Sequence, residues 1–464
     1  MLIPPSPQRY SFSRPINEVE WNTLRSYTRR VWFIHAFSTD YGLLDDDSIR
    51  AVFNPPSSKP LFPNLRSLYW RDVTRFPVKH VAVPLLTSLT LHVHFYPGGG
   101  CLSRHFLDSA ADLSPNIKQF RIYMSRPHPL DETISRHICR WTDLEVVDCP
   151  NVALNAEAVT RLSSMSTLTR LAFTLSAELT DHISDLRSTL VFSNLDHMGI
   201  SSGSLDTVGE LLPRIQLPVV HSLVIKVGST PSEDTVQGFA MIFQNTCPSD
   251  TLTNLELLDT GDQIRSHVNP NHLAHHTLSL RVVQPWTAFS NLLRIHINLK
   301  WTVILTDDDL IDLVSATPCI ESLVINDVWG WRTDGGITLV GLHQLLWSCP
   351  SLYDICLAVN TSTHTYVSGV LDQGFPEREG LRINVVDSDI EMEEVVPLVS
   401  VWKQLNLYPV ELVAWSGADV KHLPGARVCR SLWEDVFNRL MQDDAAMQED
   451  VIMEDPPAPD AIAE

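Results

Sequence analysis

Three observations predict an α/β solenoid, in which short parallel strands alternate with helical returns. First, a frame of the form L-x-x-L-x-L, apolar at its first, fourth and sixth positions, begins at Leu65, Leu86, Ile117, Leu144, Leu168, Leu195, Val220, Leu252, Leu292, Ile320 and Leu352. Positions 4 and 6 are two apart and share one face of a strand. Second, a breaker or small polar residue stands two places before each frame: Pro63, Pro84, Pro115, Thr142, Ser166, Ser193, Pro218, Asp250, Ser290, Pro318 and Pro350. These residues stop whatever precedes the strand. Third, the apolar residues between frames switch to steps of three and four, the helical period. The frames recur at intervals of 21 to 40 residues, where leucine-rich repeats run about 20–29. The expected fold is a leucine-rich-repeat-like solenoid: an irregular horseshoe with parallel strands on the concave face, helices outside and helical caps.

Taken in order, residues 1–15 hold four prolines and no period, an extended lead-in. Residues 16–60 form an N-terminal helical cap. Asn17 with Glu20 makes a capping box, and Trp21, Leu24, Thr28, Val31 and Ile34 continue at helical spacing with Arg25, Arg29 and Arg30 outward. Asp45, Asp46 and Asp47 mark a turn before a short helix. The repeats span 61–386, with helical returns expected over 104–113, 131–140, 155–164, 179–190, 205–215, 234–246, 307–316 and 337–348. Asp307, Asp308 and Asp309 suit a helix N-terminus. The long interval after Leu252 contains a polar stretch, 259–276, read as a surface loop; its His272, His275 and His276 lack a cysteine or carboxylate to complete a metal site. A last strand is expected within 381–386. A C-terminal cap covers 387–441, with helices over 390–407 and 431–441. Residues 442–464 carry eight carboxylates and no Lys or Arg, a composition that predicts disorder.

Lys+Arg 34 against Asp+Glu 55 gives a net charge of −21, which argues against nucleic acid or an anionic membrane as main partner. The eight cysteines form no C-x-x-C pair, and buried free thiols in a reducing compartment are the simplest reading. No apolar run reaches eighteen residues and no secretory h-region opens the chain. The expectation is a cytoplasmic or nuclear protein with no cofactor and no metal.

Gly199-Ile-Ser-Ser-Gly203 matches G-x-S-x-G between a strand and a helix, the setting of a nucleophile elbow. A serine hydrolase using Ser201 is therefore the alternative class. The repeat explains the same residues, since Ile200 is position 6 of its frame and Gly203 serves the following turn. Gly98, Gly99 and Gly100 lack the Lys-Ser/Thr of a phosphate loop. Asn360 occupies position 9 of its frame, where regular repeats place an Asn that satisfies backbone groups. The other ten frames have no Asn there, so the regular Asn ladder is almost absent.

Phe12-Ser-Arg-Pro-Ile16, Glu20-Trp21 and Tyr27-Thr-Arg-Arg-Val31 resemble the segment following the F-box in fungal F-box leucine-rich-repeat proteins. Leu61-Phe-Pro-Asn-Leu-Arg-Ser-Leu68, and Phe289-Ser-Asn-Leu292 after Pro285-Trp286, resemble that family too, and the likeness covers most of residues 10–415. The resemblance implies a substrate-recognition subunit of a cullin-based ubiquitin ligase, in which the F-box docks on the adaptor and the repeats hold a target. No Leu-Pro-x-Glu helix precedes Phe12, so the chain as written is not expected to bind the ligase adaptor unless an F-box is restored upstream. An F-box-less binding scaffold is the third reading.

In a solenoid the readable surface is the strand face at frame positions 3, 5 and 7. In the first half this face carries Tyr69, Arg71, His92, Gln119, Arg121, Tyr123, Arg170 and His197. Tyr and Arg are typical interface anchors, and three arginines on one face of an acidic protein suit an acidic or phosphorylated segment of a protein target. Trp329 and Trp331, on either side of Gly330, are a second candidate contact.

Overall fold

The computed structural model of the protein describes residues 11–36, 46–53, 60–71, 81, 83–93, 110–124, 131–185, 189–260, 276–332, 336–361, 380–404, 407–417, 420–423 and 425–452. The chain divides into two compact units, Met1–Pro231 with Met241–Leu252, and Ser232–Ala240 with Thr253–Glu464. In the first unit eight parallel strands follow one another across the sheet: β1 (Phe33–Ala36), β2 (Ser67–Arg71), β3 (Ser88–Val93), β4 (Gln119–Met124), β5 (Val146–Ala153), β6 (Arg170–Leu175), β7 (His197–Ser202) and β8 (Ser222–Val227). The second unit has six: β9 (Asn254–Asp259), β10 (Arg294–Asn298), β11 (Ser322–Ile325), β12 (Asp354–Cys356), β13 (Arg382–Asn384) and β14 (Glu411–Val413). All eleven frames supply parallel strands, and positions 1, 4 and 6 are buried in every one, from Leu65, Leu68 and Trp70 to Leu352, Ile355 and Leu357. Each such side chain contributes roughly 1.5–3 kcal/mol of hydrophobic stabilisation.

Backbone geometry explains the residue two places before each frame. Leu65 N donates to Phe62 O, Ile320 N to Thr317 O and Leu352 N to Cys349 O, closing four-residue turns in which Pro63, Pro318 and Pro350 take the second position. The fixed φ of proline suits that position. Strand register is then set by a recurring clamp. Two successive N–H groups at frame positions 2 and 3 donate to the position-2 carbonyl of the preceding repeat, as when Lys118 N and Gln119 N reach Thr87 O at 2.8 and 3.0 Å. The same pair recurs at Glu145 and Val146 on Lys118 O, and at Glu321 and Ser322 on Leu293 O. Because the clamp uses backbone alone, it tolerates return segments of very different length.

The helical returns close the other side of each sheet. Helix Asp131–Ile138 buries Ile134 and Ile138, and Trp141 sets its ring 5.0 Å from that of Phe120. Asn155 caps Ala156–Ser163 by accepting from Ala158 N at 2.9 Å. The three aspartates before Leu310 open helix Asp307–Ala316 with a capping box between Thr306 and Asp309. Of the return expected over 104–113, only the last four residues are described, and they are helical. The loop residues 261–275, with His272 and His275, the glycines 98–100 and the lead-in residues 1–10 lie outside the described residues.

Several expectations need correction. The first helix ends at Thr28, and Phe33–Ala36 is strand β1 rather than its last turn. Val31 and Ile34 fit the helical step, yet Ile34 pairs in register with Leu68, and sheet pairing outweighs a weak local preference. Strand β14 falls inside the segment read as purely helical cap. Helix Ala426–Ile452 runs eleven residues into the stretch expected to be disordered. Cys149 and Cys356 are buried free thiols, whereas Cys319 is exposed. Among the described residues no helix is long and apolar enough to cross a membrane.

Candidate functional site

Strand alternation turns positions 3, 5 and 7 away from the core, and in the first unit these residues form a connected series. His35 on β1 meets Tyr69 on β2 edge-on, with ring centroids 4.1 Å apart. Tyr69 lies 4.9 Å from His92 on β3, and His92 lies 4.7 Å from Tyr123 on β4. The series crosses diagonally from position 5 to position 7 because Thr90, in register with Tyr69, is small and only 8% exposed. The Tyr123 hydroxyl then donates to Asp148 Oδ2 on β5 at 2.7 Å, and Arg170 Nε on β6 stands 3.9 Å from the same oxygen. Beyond it, His197 Nδ1 lies 2.8 Å from Ser222 Oγ.

Electrostatics follow from these contacts. Burial, then the bond to Asp148, pushes the Tyr123 phenol up to about 12, so it stays protonated and donating at neutral pH. Burial and then the Arg170 charge lower the His197 pKa, which favours the neutral ring. Arg121 donates to Gln119 Oε1 at 3.0 Å within its own strand. The expected arginine row is therefore interrupted. Asp148, 8% exposed, sits between the strands of Arg121 and Arg170 and offsets part of their charge. Arg71 stands in register with His92, but its side chain lies outside the described residues. Sequence reasoning missed Asp148 and His35. Asp148 occupies position 5 of the frame at Leu144 and was legible there, while His35 was hidden inside the apparent helix.

The other candidates have structural positions. Trp329 is 4% exposed and Trp331 is fully buried, so neither is a surface contact. Trp331 donates from Nε1 to Ile325 O and from its backbone N to Asp387 Oδ1, and Lys300 lies over the Trp329 ring. Ser201 lies within β7, in register with Thr174 and Lys226. Among the described residues no histidine or carboxylate hydrogen-bonds its Oγ, and no group of His, Cys, Asp and Glu has metal-binding geometry. No family model matches the chain, and no curated protein matches it.

Proposed function

We propose that this chain is a protein-binding solenoid of leucine-rich-repeat type, an irregular horseshoe, whose first unit holds a target on the outward face of its sheet. The observation that carries the reading is the unbroken series His35, Tyr69, His92, Tyr123, Asp148 and Arg170 across six adjacent strands. Asp148 is buried, Tyr69, His92 and Tyr123 are partly buried, and His35 and Arg170 are exposed at the two ends. Mutual contacts hold the middle of the series, so docking there costs little side-chain entropy, the property that makes Tyr and Arg effective anchors. Arg121 and Arg170 favour a segment with acidic or phosphorylated groups. The resemblance over residues 10–415 supports one setting for this binding, target recognition for a cullin-based ubiquitin ligase. Adaptor docking then depends on an F-box joined to this chain.

Proximity labelling in cells, followed by binding measurements with the recovered partner, tests the reading. Arg121→Ala is expected to weaken binding by about 2 kcal/mol or more, with affinity falling as salt rises. Arg136→Ala, on the exposed side of helix Asp131–Ile138, should leave it unchanged. Equal losses from both variants would remove the first unit's face as the site. A pull-down in which this chain binds the ligase adaptor directly would overturn the expected dependence on an F-box.

A further inference from the structure

The second unit carries its own groove on the outward face of its sheet, with a volume of about 330 Å³. That is at the small end of ligand-sized clefts, roughly 300–1,000 Å³, and fits one or two side chains. Its polar lining comes chiefly from Glu256 on β9, Arg294 and His296 on β10, Asp327 just after β11, and Asp354 on β12. Three carboxylates thus face one guanidinium, and that guanidinium is engaged, since Arg294 Nη2 donates to the Tyr353 hydroxyl at 3.1 Å. Asp327 Oδ1 lies 3.2 Å from His296 Nε2, and Asp354 Oδ2 accepts from Ser322 Oγ at 2.8 Å. Glu256 accepts no hydrogen bond among the described residues.

Beside the groove, and not lining it, strand β10 carries one further acceptor. Asn298 follows Arg294 and His296 at steps of two on β10, so strand alternation places it on the groove's face of the sheet. It is only 6% exposed, and its Oδ1 has no hydrogen-bond partner. Buried acceptors of this kind are normally satisfied. The groove's three carboxylates outnumber its one guanidinium, so its lining is net negative, and the chemistry that complements it is a cation carrying several N–H donors.

The same groove lacks the arrangement for covalent chemistry. Cys356 also lines it, but burial and then the charges of Asp327 and Asp354 push its thiol well above the ordinary range. His296 and Cys356 are in register across β11 with Val324 between them, two strand spacings or about 9.6 Å. No proton passes directly between them. We infer that the second unit's outward face docks a peptide segment of a partner protein through a lysine or arginine side chain seated among Glu256, Asp327 and Asp354. The occupant is a peptide because the groove lies open on a sheet face and holds little beyond one side chain, leaving flanking backbone to run across the strands. This contact is opposite in sign to the one proposed for the first unit and stands independently of it.

The test uses the full chain and a fluorescein-labelled peptide of alternating glycine and arginine, read by fluorescence anisotropy. The variant Glu256→Gln/Asp354→Asn removes two charges from the groove while keeping the hydrogen-bond acceptors. The control Asp308→Asn/Asp312→Asn removes two from the exposed side of helix Asp307–Ala316. The expected result is a Kd raised about tenfold or more by the groove variant and less than about twofold by the control. Similar losses from both would mean diffuse attraction to the net charge of −21, and the proposal would fail. It would fail equally if spermine bound as tightly as the peptide, or if the groove variant bound like the wild type. Should Asp354→Asn disturb folding, Glu256→Gln alone, whose carboxylate holds no structural bond, carries the same test with a smaller expected loss.

Discussion

Asn326 and Asn298 occupy the same frame position, the seventh, in adjacent repeats, but their side-chain oxygens differ in hydrogen bonding. Asn326 is 0% exposed. Its Oδ1 accepts from Leu299 N at 2.9 Å, and its Nδ2 donates to Trp301 O and Gly330 O at 3.1 and 3.3 Å. It also sits at a φ of 56°, a left-handed conformation that Asn tolerates better than alanine. Asn326→Ala would strand a buried N–H, at about 1–3 kcal/mol, and weaken two carbonyls. With about 1 kcal/mol for a left-handed alanine, the expected loss is roughly 2–4 kcal/mol before the two weakened carbonyls are counted. Asn298→Ala removes an oxygen with no partner and should cost less than about 1 kcal/mol. Urea denaturation followed by tryptophan fluorescence compares the two, and amide exchange at Leu299 reads the lost bond directly without assuming that both units unfold together. Equal losses, or unchanged protection at Leu299, would show that Asn326 does not tie these repeats together.

Three further outcomes follow from contacts already described. The raised Tyr123 phenol favours its protonated form in the folded state, so that stabilisation is whole below pH 10 and is lost as pH climbs toward about 12; Tyr123→Phe should flatten the stability profile in that window, read by denaturation at stepped pH. Iodoacetamide labelling with mass spectrometry should modify Cys319 in the native protein while Cys149 and Cys356 react only after unfolding. Asp387→Ala should cost about 2–4 kcal/mol by chemical denaturation, because Asp387 accepts from both Trp331 N and Arg332 N at 2.7 Å in a buried site.

The repeats were legible because their signal is double. An apolar pair at positions 4 and 6 names a strand face, and the residue before the frame names the turn, so every frame from Leu65 to Leu352 falls where expected. The ends were harder to read. Val31 and Ile34 satisfy a helical step and a strand equally, and only the pairing of Ile34 with Leu68 decides. The absent Asn ladder was also read correctly as an absence, but its replacement was not visible. Backbone clamps need no particular side chain, and the buried Asn326 works from position 7 rather than 9. For the candidate site, alternation identified the face and most of its residues. It could not show that Tyr69 reaches diagonally to His92, or that Asp148 comes between the arginine-bearing strands, because both depend on side-chain size and reach.

The division between the two faces of each strand explains how one repeat serves unlike chemistries. Positions 1, 4 and 6 are buried in all eleven frames, so a charge there would cost several kcal/mol. Positions 3, 5 and 7 are under no uniform demand to be apolar and differ widely, from exposed charges to the buried, bonded Asn326. Along the register row through position 5 of the first unit, His35, Tyr69, Thr90, Arg121 and Asp148 give way to Ala172 and Gly199. The change has a steric cause, since a Cβ on Gly199 would lie 2.9 Å from that of Ala172. Large side chains therefore end at β5 in this row, and Arg170 and His197 in the neighbouring row stand beside a low floor. The second unit keeps the same buried positions and fills its outward ones with Glu256, His296 and Asp354. The fold constrains positions 1, 4 and 6 alike in both units, so the side chains at the outward positions can differ in charge while the core pattern is shared.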